Sequence, residues 1–138
     1  MSAAPDLPDA AVDLLSLVGM RLYSAVFVID YVQLLFDGSP DTRSTLTCDV
    51  WPTIETSQGD ARHGDPGYAD ALVSLIPSDV VAASVTSGSG LRIELGAGAV
   101  VLNPTRDEIT GPEIAMLRGT GDAWRVWRPG EGEFADLG

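Results

Sequence analysis

The chain contains no lysine. All of its 8 bases are arginine, set against 20 acids, for a formal net charge of −12 over 138 residues. That shortage of positive charge argues against nucleic acid as a partner, because such binding rests on Lys and Arg neutralising phosphates. It argues equally against anionic membrane surfaces, which repel an acidic chain. Cysteine is almost absent: Cys48 stands alone, so no internal disulfide can form, and a reducing, cytoplasmic compartment is expected. The first 20 residues carry Asp6, Asp9 and Asp13 and no base before Arg21, which is unlike a secretory leader. No long hydrophobic run exists either. The most apolar stretch, 22–29, contains Ser24 and ends at Asp30, well short of the roughly 20 residues that span a bilayer. With one cysteine and one histidine, His63, a structural zinc set cannot be assembled. No metal or cofactor is expected, and no catalytic residue is assigned.

What is present is ordinary for a globular chain. Hydrophobic residues make up 45% of the sequence, and the length fits one domain, 1–138. Ala11, Leu14, Leu15 and Val18 recur at helical spacing and predict a first helix ended by Gly19. Residues 22–30 and 31–36, rich in β-branched and aromatic types, read as strands, with a turn at Asp37-Gly38. In 45–51, Leu46, Cys48 and Val50 alternate with polar neighbours, the pattern of a half-buried strand. Residues 53–67 are polar and glycine-containing and read as a long, mobile loop. A second helix is predicted from Tyr68, Ala71, Leu72, Leu75 and Ile76, capped by Asp65, with Pro66 in its first position. Strands follow at 79–86, 91–95 and 99–103, then a short helix at 111–118, a strand at 123–128 and an acidic tail at 129–138.

The two halves rhyme at a spacing of 58 residues. Leu14 meets Leu72, Leu17 meets Leu75 and Ala25 meets Ala83; one residue later in register, Leu34 and Phe36 meet Ile93 and Leu95. The expected fold class is therefore α+β, with two antiparallel three-stranded meanders, each preceded by a helix, as a pseudo-twofold internal repeat. Repeat 1 covers about 7–52, repeat 2 about 65–104, and a helix-strand unit 111–128. The expected core holds Leu14, Leu34, Phe36, Cys48, Leu72, Leu75, Ile76, Ile93 and Leu95.

The stretches Asp30-Tyr31-Val32-Gln33-Leu34-Leu35-Phe36-Asp37-Gly38 and Gly64-Asp65-Pro66-Gly67-Tyr68-Ala69-Asp70-Ala71-Leu72 resemble a group of small proteins from GC-rich actinobacteria. The resemblance runs over about 22–127. It implies a bacterial cytosolic protein and carries over no activity, cofactor or site residue.

Four residues are candidates for interaction. His63 lies between Asp60 and Asp65, and a carboxylate neighbour can orient an imidazole for proton transfer; a solvated loop histidine is the plainer alternative. Trp124, Arg125 and Trp127 are of types enriched at binding hot spots. On a strand, Trp124 and Trp127 fall on opposite faces, so one belongs to the core and the other outside it. Cys48 shares its face with Leu46 and Val50 and reads as core. The glycine pairs Gly88/Gly90 and Gly96/Gly98 join strand to strand, so they read as turns and not as phosphate cradles. The functional expectation is a non-catalytic protein-interaction module. Its partner is another protein, preferably a basic one steered by the acidic field, with a homodimer through an open strand edge as a corollary. The alternative is a small enzyme or ligand carrier with a pocket between the repeats.

Overall fold

Residues Tyr31–Asp37 show why this chain is built of strands. Val32, Leu34 and Phe36 are buried, while Tyr31, Gln33, Leu35 and Asp37 are half-buried on the other face, a strict period of two that only an extended backbone satisfies. The computed structural model describes residues 14–39, 42–119 and 124–137. Its strands are β1 (Arg21–Val28), β2 (Tyr31–Asp37), β3 (Arg43–Cys48), β4 (Thr53–Thr56), β5 (Gly59–Ala61), β6 (Ser78–Thr86), β7 (Gly90–Leu95), β8 (Gly98–Leu102), β9 (Ala115–Arg118) and β10 (Trp124–Trp127). One α-helix, α1 (Tyr68–Val73), lies between β5 and β6. The strands pair in the order β10-β9-β3-β2-β1-β6-β7-β8-β4-β5, with every pairing antiparallel.

This corrects the α+β expectation. The predicted first helix is, within the described residues, a single 3₁₀ turn at Leu14–Leu17; its N-terminal part lies outside them. The second has 6 residues, and Asp65 does not cap it: Gly67, left-handed at φ 86°, stands at its N-cap. Asp65 instead closes the preceding turn, its carboxylate accepting the Arg62 N–H at 2.9 Å. The predicted loop at 53–67 contains the β4–β5 hairpin. The predicted helix at 111–118 is β9, held in extended form because it pairs with both β3 and β10. Neither meander is therefore a helix-plus-strands unit.

What relates the two halves is strand register. The sheet divides at β1 and β6, which pair only through Arg21↔Asp79 and Leu22↔Ser78. The chain before β1 continues the contact: Val80 N–H donates to the Met20 carbonyl at 2.8 Å, and Gly19 N–H to the Val80 carbonyl at 2.9 Å. Arg21 and Asp79 are themselves 58 residues apart. The β1–β2 register slips between Leu22 and Ser24 and the β6–β7 register between Val80 and Ala82, again 58 residues on. Beyond the junction the first half-sheet is β1-β2-β3-β9-β10 and the second is β6-β7-β8-β4-β5.

Each half-sheet buries one face, and the two faces meet in one continuous core. Leu34, Phe36, Leu46 and Leu117 come from the first half, Ile54, Leu91, Ile93 and Val100 from the second. Each such side chain contributes on the order of 1.5–3 kcal/mol by leaving water. Of the expected core residues, eight are buried and Ile76 is only partly so, packed at the periphery. Among the described residues, no helix is long and apolar enough to cross a membrane.

Candidate interaction groove

The site begins where β3 ends. Asp49 and Val50 donate their N–H groups to the Ile114 carbonyl, which turns the chain out of the first half-sheet toward β4. Trp51 follows, and its indole becomes the centre of an aromatic cluster. The His63 imidazole lies flat on it, with ring centroids 4.0 Å apart and planes 7° from parallel. Phe27, near the end of β1, stacks more loosely at 6.3 Å and 23°. Tyr68, the first residue of α1, meets Trp51 edge-on at 6.4 Å and His63 edge-on at 5.7 Å. Edge-to-face and offset pairs of this kind each add about 0.5–1.5 kcal/mol beyond their burial. The Tyr68 hydroxyl donates to the Pro52 carbonyl. Burial pushes the phenol upward, with a smaller contribution from Cys48, so the hydroxyl stays a neutral donor.

Beside this cluster lies an open groove of about 420 Å³, bounded by Phe27 on one side and by His63, Asp65, Gly67, Tyr68 and Asp70 on the other. Its position follows from the β1–β6 junction. Along β1 beyond Leu22, the neighbour on the β6 side is the chain leading into Ser78, and that chain carries α1 instead of a strand. Among the described residues, the edge of β1 beyond Leu22 therefore has no strand partner there, although β2 pairs with β1 on the other side. Val26 and Phe27 are exposed, and Ile29, in the tight turn to β2, is 98% accessible.

The other candidates from the sequence do not join this site. Trp124 and Trp127 divide as their spacing requires: Trp124 is 46% exposed and Trp127 is 4% exposed. The Arg125 guanidinium sits over the Trp127 ring, 5.4 Å from its centroid. The buried Trp127 indole N–H has no acceptor among the described residues. All three lie on β10, four strands from β1, or roughly 19 Å at ordinary strand spacing. Cys48 is fully buried, and desolvation drives its thiol far above the ordinary range, which is the reverse of what a nucleophile needs. Phe27 and Trp51, which sequence reasoning passed over, are what give His63 its setting.

Two polar hollows lie elsewhere on the described surface. One, of about 180 Å³, is lined by Trp51 with Glu55, Asp60, Arg62, Asn103 and Glu108. The other, also about 180 Å³, holds Asp30, Asp49 and Glu113. There, burial first, then Glu113 and Asp30, raise the Asp49 carboxyl above its usual value. Among the described residues, no three His, Cys, Asp or Glu side chains are arranged to hold a metal ion. No family model matches the sequence, and neither a curated protein nor a solved structure is similar to it. The fold and the groove thus stand on the geometry alone.

Proposed function

We propose that the protein is a non-catalytic interaction module that engages another protein along the open edge of β1. The observation that carries this reading is the open β1 edge beside the aromatic groove: β6 is likewise unpaired on that side beyond Val80 among the described residues, but the groove is lined by Phe27 of β1 and by no residue of β6. The outermost strands, β5 and β10, are 3 and 4 residues long and carry Asp60 and Arg125, the short and charged character that discourages pairing with another chain. The β1 edge runs on from Leu22 to Val28 as Tyr-Ser-Ala-Val-Phe-Val, with no charge. An edge of that kind presents unpaired N–H and C=O groups and invites an added strand. Against a carrier with a pocket between the halves stands the filling of that space by aliphatic side chains. The reduced, buried Cys48 suits a cytoplasmic location. A photo-crosslinking residue at position 26, compared with one at position 94 on the second half-sheet, tests the reading in cells. Protein adducts specific to position 26, and lost on Ala25→Pro in a variant that still folds, are expected. Equal adducts at both positions, or none at 26, count against it.

A further inference from the structure

The groove beside β1 also says what kind of partner fits. We infer that its occupant is an extended, basic segment of another protein, added to β1 as a strand with an apolar side chain set between Phe27 and Tyr68. This rests on β1 being the binding edge. Three features of the groove lead to it. One side is β1, through Phe27: among the described residues this strand has no β6 pairing beyond Leu22, and in an antiparallel pair alternate residues turn their N–H and C=O groups away from the existing partner. The lining includes aromatic rings, with Phe27 43% exposed and Tyr68 set perpendicular to His63. The rim is acidic. Asp65 and Asp70 line the groove, no arginine does, and the chain as a whole carries −12.

That charge selects between the two obvious occupants. A second copy brings its own excess of acid and has no lysine; its exposed strands β1 and β6 carry one acid, Asp79, and one base, Arg21, which is already paired with Asp37 at the N-terminal end of β1. A foreign strand alternating apolar and basic residues satisfies backbone, lining and rim together, and the acidic field speeds its arrival at low salt.

The probe is a labelled peptide, acetyl-Val-Arg-Val-Lys-Val-Arg-Val-amide, titrated into the full chain by fluorescence anisotropy. Two versions carry N-methyl groups on alternate amides, in opposite phase, and a neutral version replaces each base with Thr. Binding of the basic peptide is expected, with one methylated phase retaining affinity and the other losing about tenfold or more, because a strand added to an edge uses only one of its two rows of amides. Asp70→Lys should weaken the basic peptide about tenfold, while Asp107→Lys, the same charge change at another exposed site, has a much smaller effect. No binding by the basic peptide, or binding indifferent to methylation phase, overturns the inference. If the neutral peptide binds as tightly and with the same phase dependence, the edge survives as the binding site and the basic partner does not. A dimer in sedimentation that Val26→Lys dissolves gives the edge to a second copy and likewise overturns the inference while leaving the edge reading intact.

Discussion

The two half-sheets share strand order, bulge position and a common core, and differ on the faces they turn to water. On the first half, one outward row across the strands reads Val26, Gln33, Thr47, Met116, Val126, and its neighbour reads Ser24, Leu35, Thr45, Arg118, Trp124. The corresponding rows on the second half read Ser84, Arg92, Val101, Thr53 and Ala82, Glu94, Ala99, Glu55, Asp60. The second face is an ordinary solvated one, with Arg92 held between Glu55 at 2.8 Å and Glu94 at 3.2 Å. In the first, these two rows hold a single charge, Arg118, and the other charges gather in one row at the end of the face, Arg21, Asp37 and Arg43. Since the backbone framework is shared and both β1 and β6 are open beyond their short pairing, the difference lies in the side chains, and it falls on the half whose open edge carries the groove. Equivalent frames set solvent exposure; the residues placed on them decide the character of each exposed face.

The largest effects test what the halves have in common. Leu34→Ala and Ile93→Ala remove fully buried side chains from corresponding strands, and each should cost about 2–5 kcal/mol. Both variants should unfold in a single urea transition; two separate transitions would break the idea of one core. A smaller effect should separate the halves. A Cβ on Gly98 would run into the Glu55 carbonyl and the Leu75 side chain, so Gly98→Ala should cost about 1–3 kcal/mol. Ser44 faces Phe36 as Gly98 faces Leu95, yet it already carries a Cβ, and Ser44→Ala should cost less in the same melt.

Acid should move the halves in opposite directions. The Arg92 hydrogen bond holds the Glu55 carboxyl below its usual value despite some burial. A depressed folded value means stability present above the unfolded value and lost as pH falls through the folded one, so Glu55→Gln should destabilise at neutral pH, and that difference should vanish on acidification. Asp49 has a raised value, so its ionised form opposes folding. Asp49→Asn should stabilise at neutral pH, and the gain should disappear on acidification as the native aspartate takes up its proton. Thermal melts of both variants between acid and neutral pH check the signs. The smallest effect belongs to the ion pairs themselves. Arg92→Ala should cost no more than about 1 kcal/mol, because its charge is more than a third exposed and solvent screens it, and the cost should shrink in high salt.

Much of the strand framework is legible in the residues. The alternation of β2 and β3, and the apolar runs of β7 and β8 around a glycine turn, have the right period without help from the rest of the chain. The β4–β5 hairpin is not legible, because only Ile54 is buried along it and an edge hairpin with one inward residue has no period to detect. In β9, Ala115, Met116 and Leu117 are good helix formers, and only pairing on both sides makes them extended. For the candidate groove, His63 stood out by its acidic neighbours, but the contacts that matter run to Trp51, twelve residues earlier, and to Phe27 on another strand. Proximity of that sort depends on where β3 turns out of the sheet, which no local pattern encodes.

The order of the strands also dictates an order of completion. The second half-sheet is drawn from one unbroken stretch, 53–102, whereas the first is split into 21–48 and 115–127. As the chain leaves the ribosome, β3 therefore emerges with one side bare and must wait until the second half has been made before β9 arrives to cover it. A nascent molecule thus carries for a time an extra open edge that the finished one lacks. Slowing elongation between residues 53 and 115 lengthens that interval, which is when aggregation or a chaperone would compete for the strand.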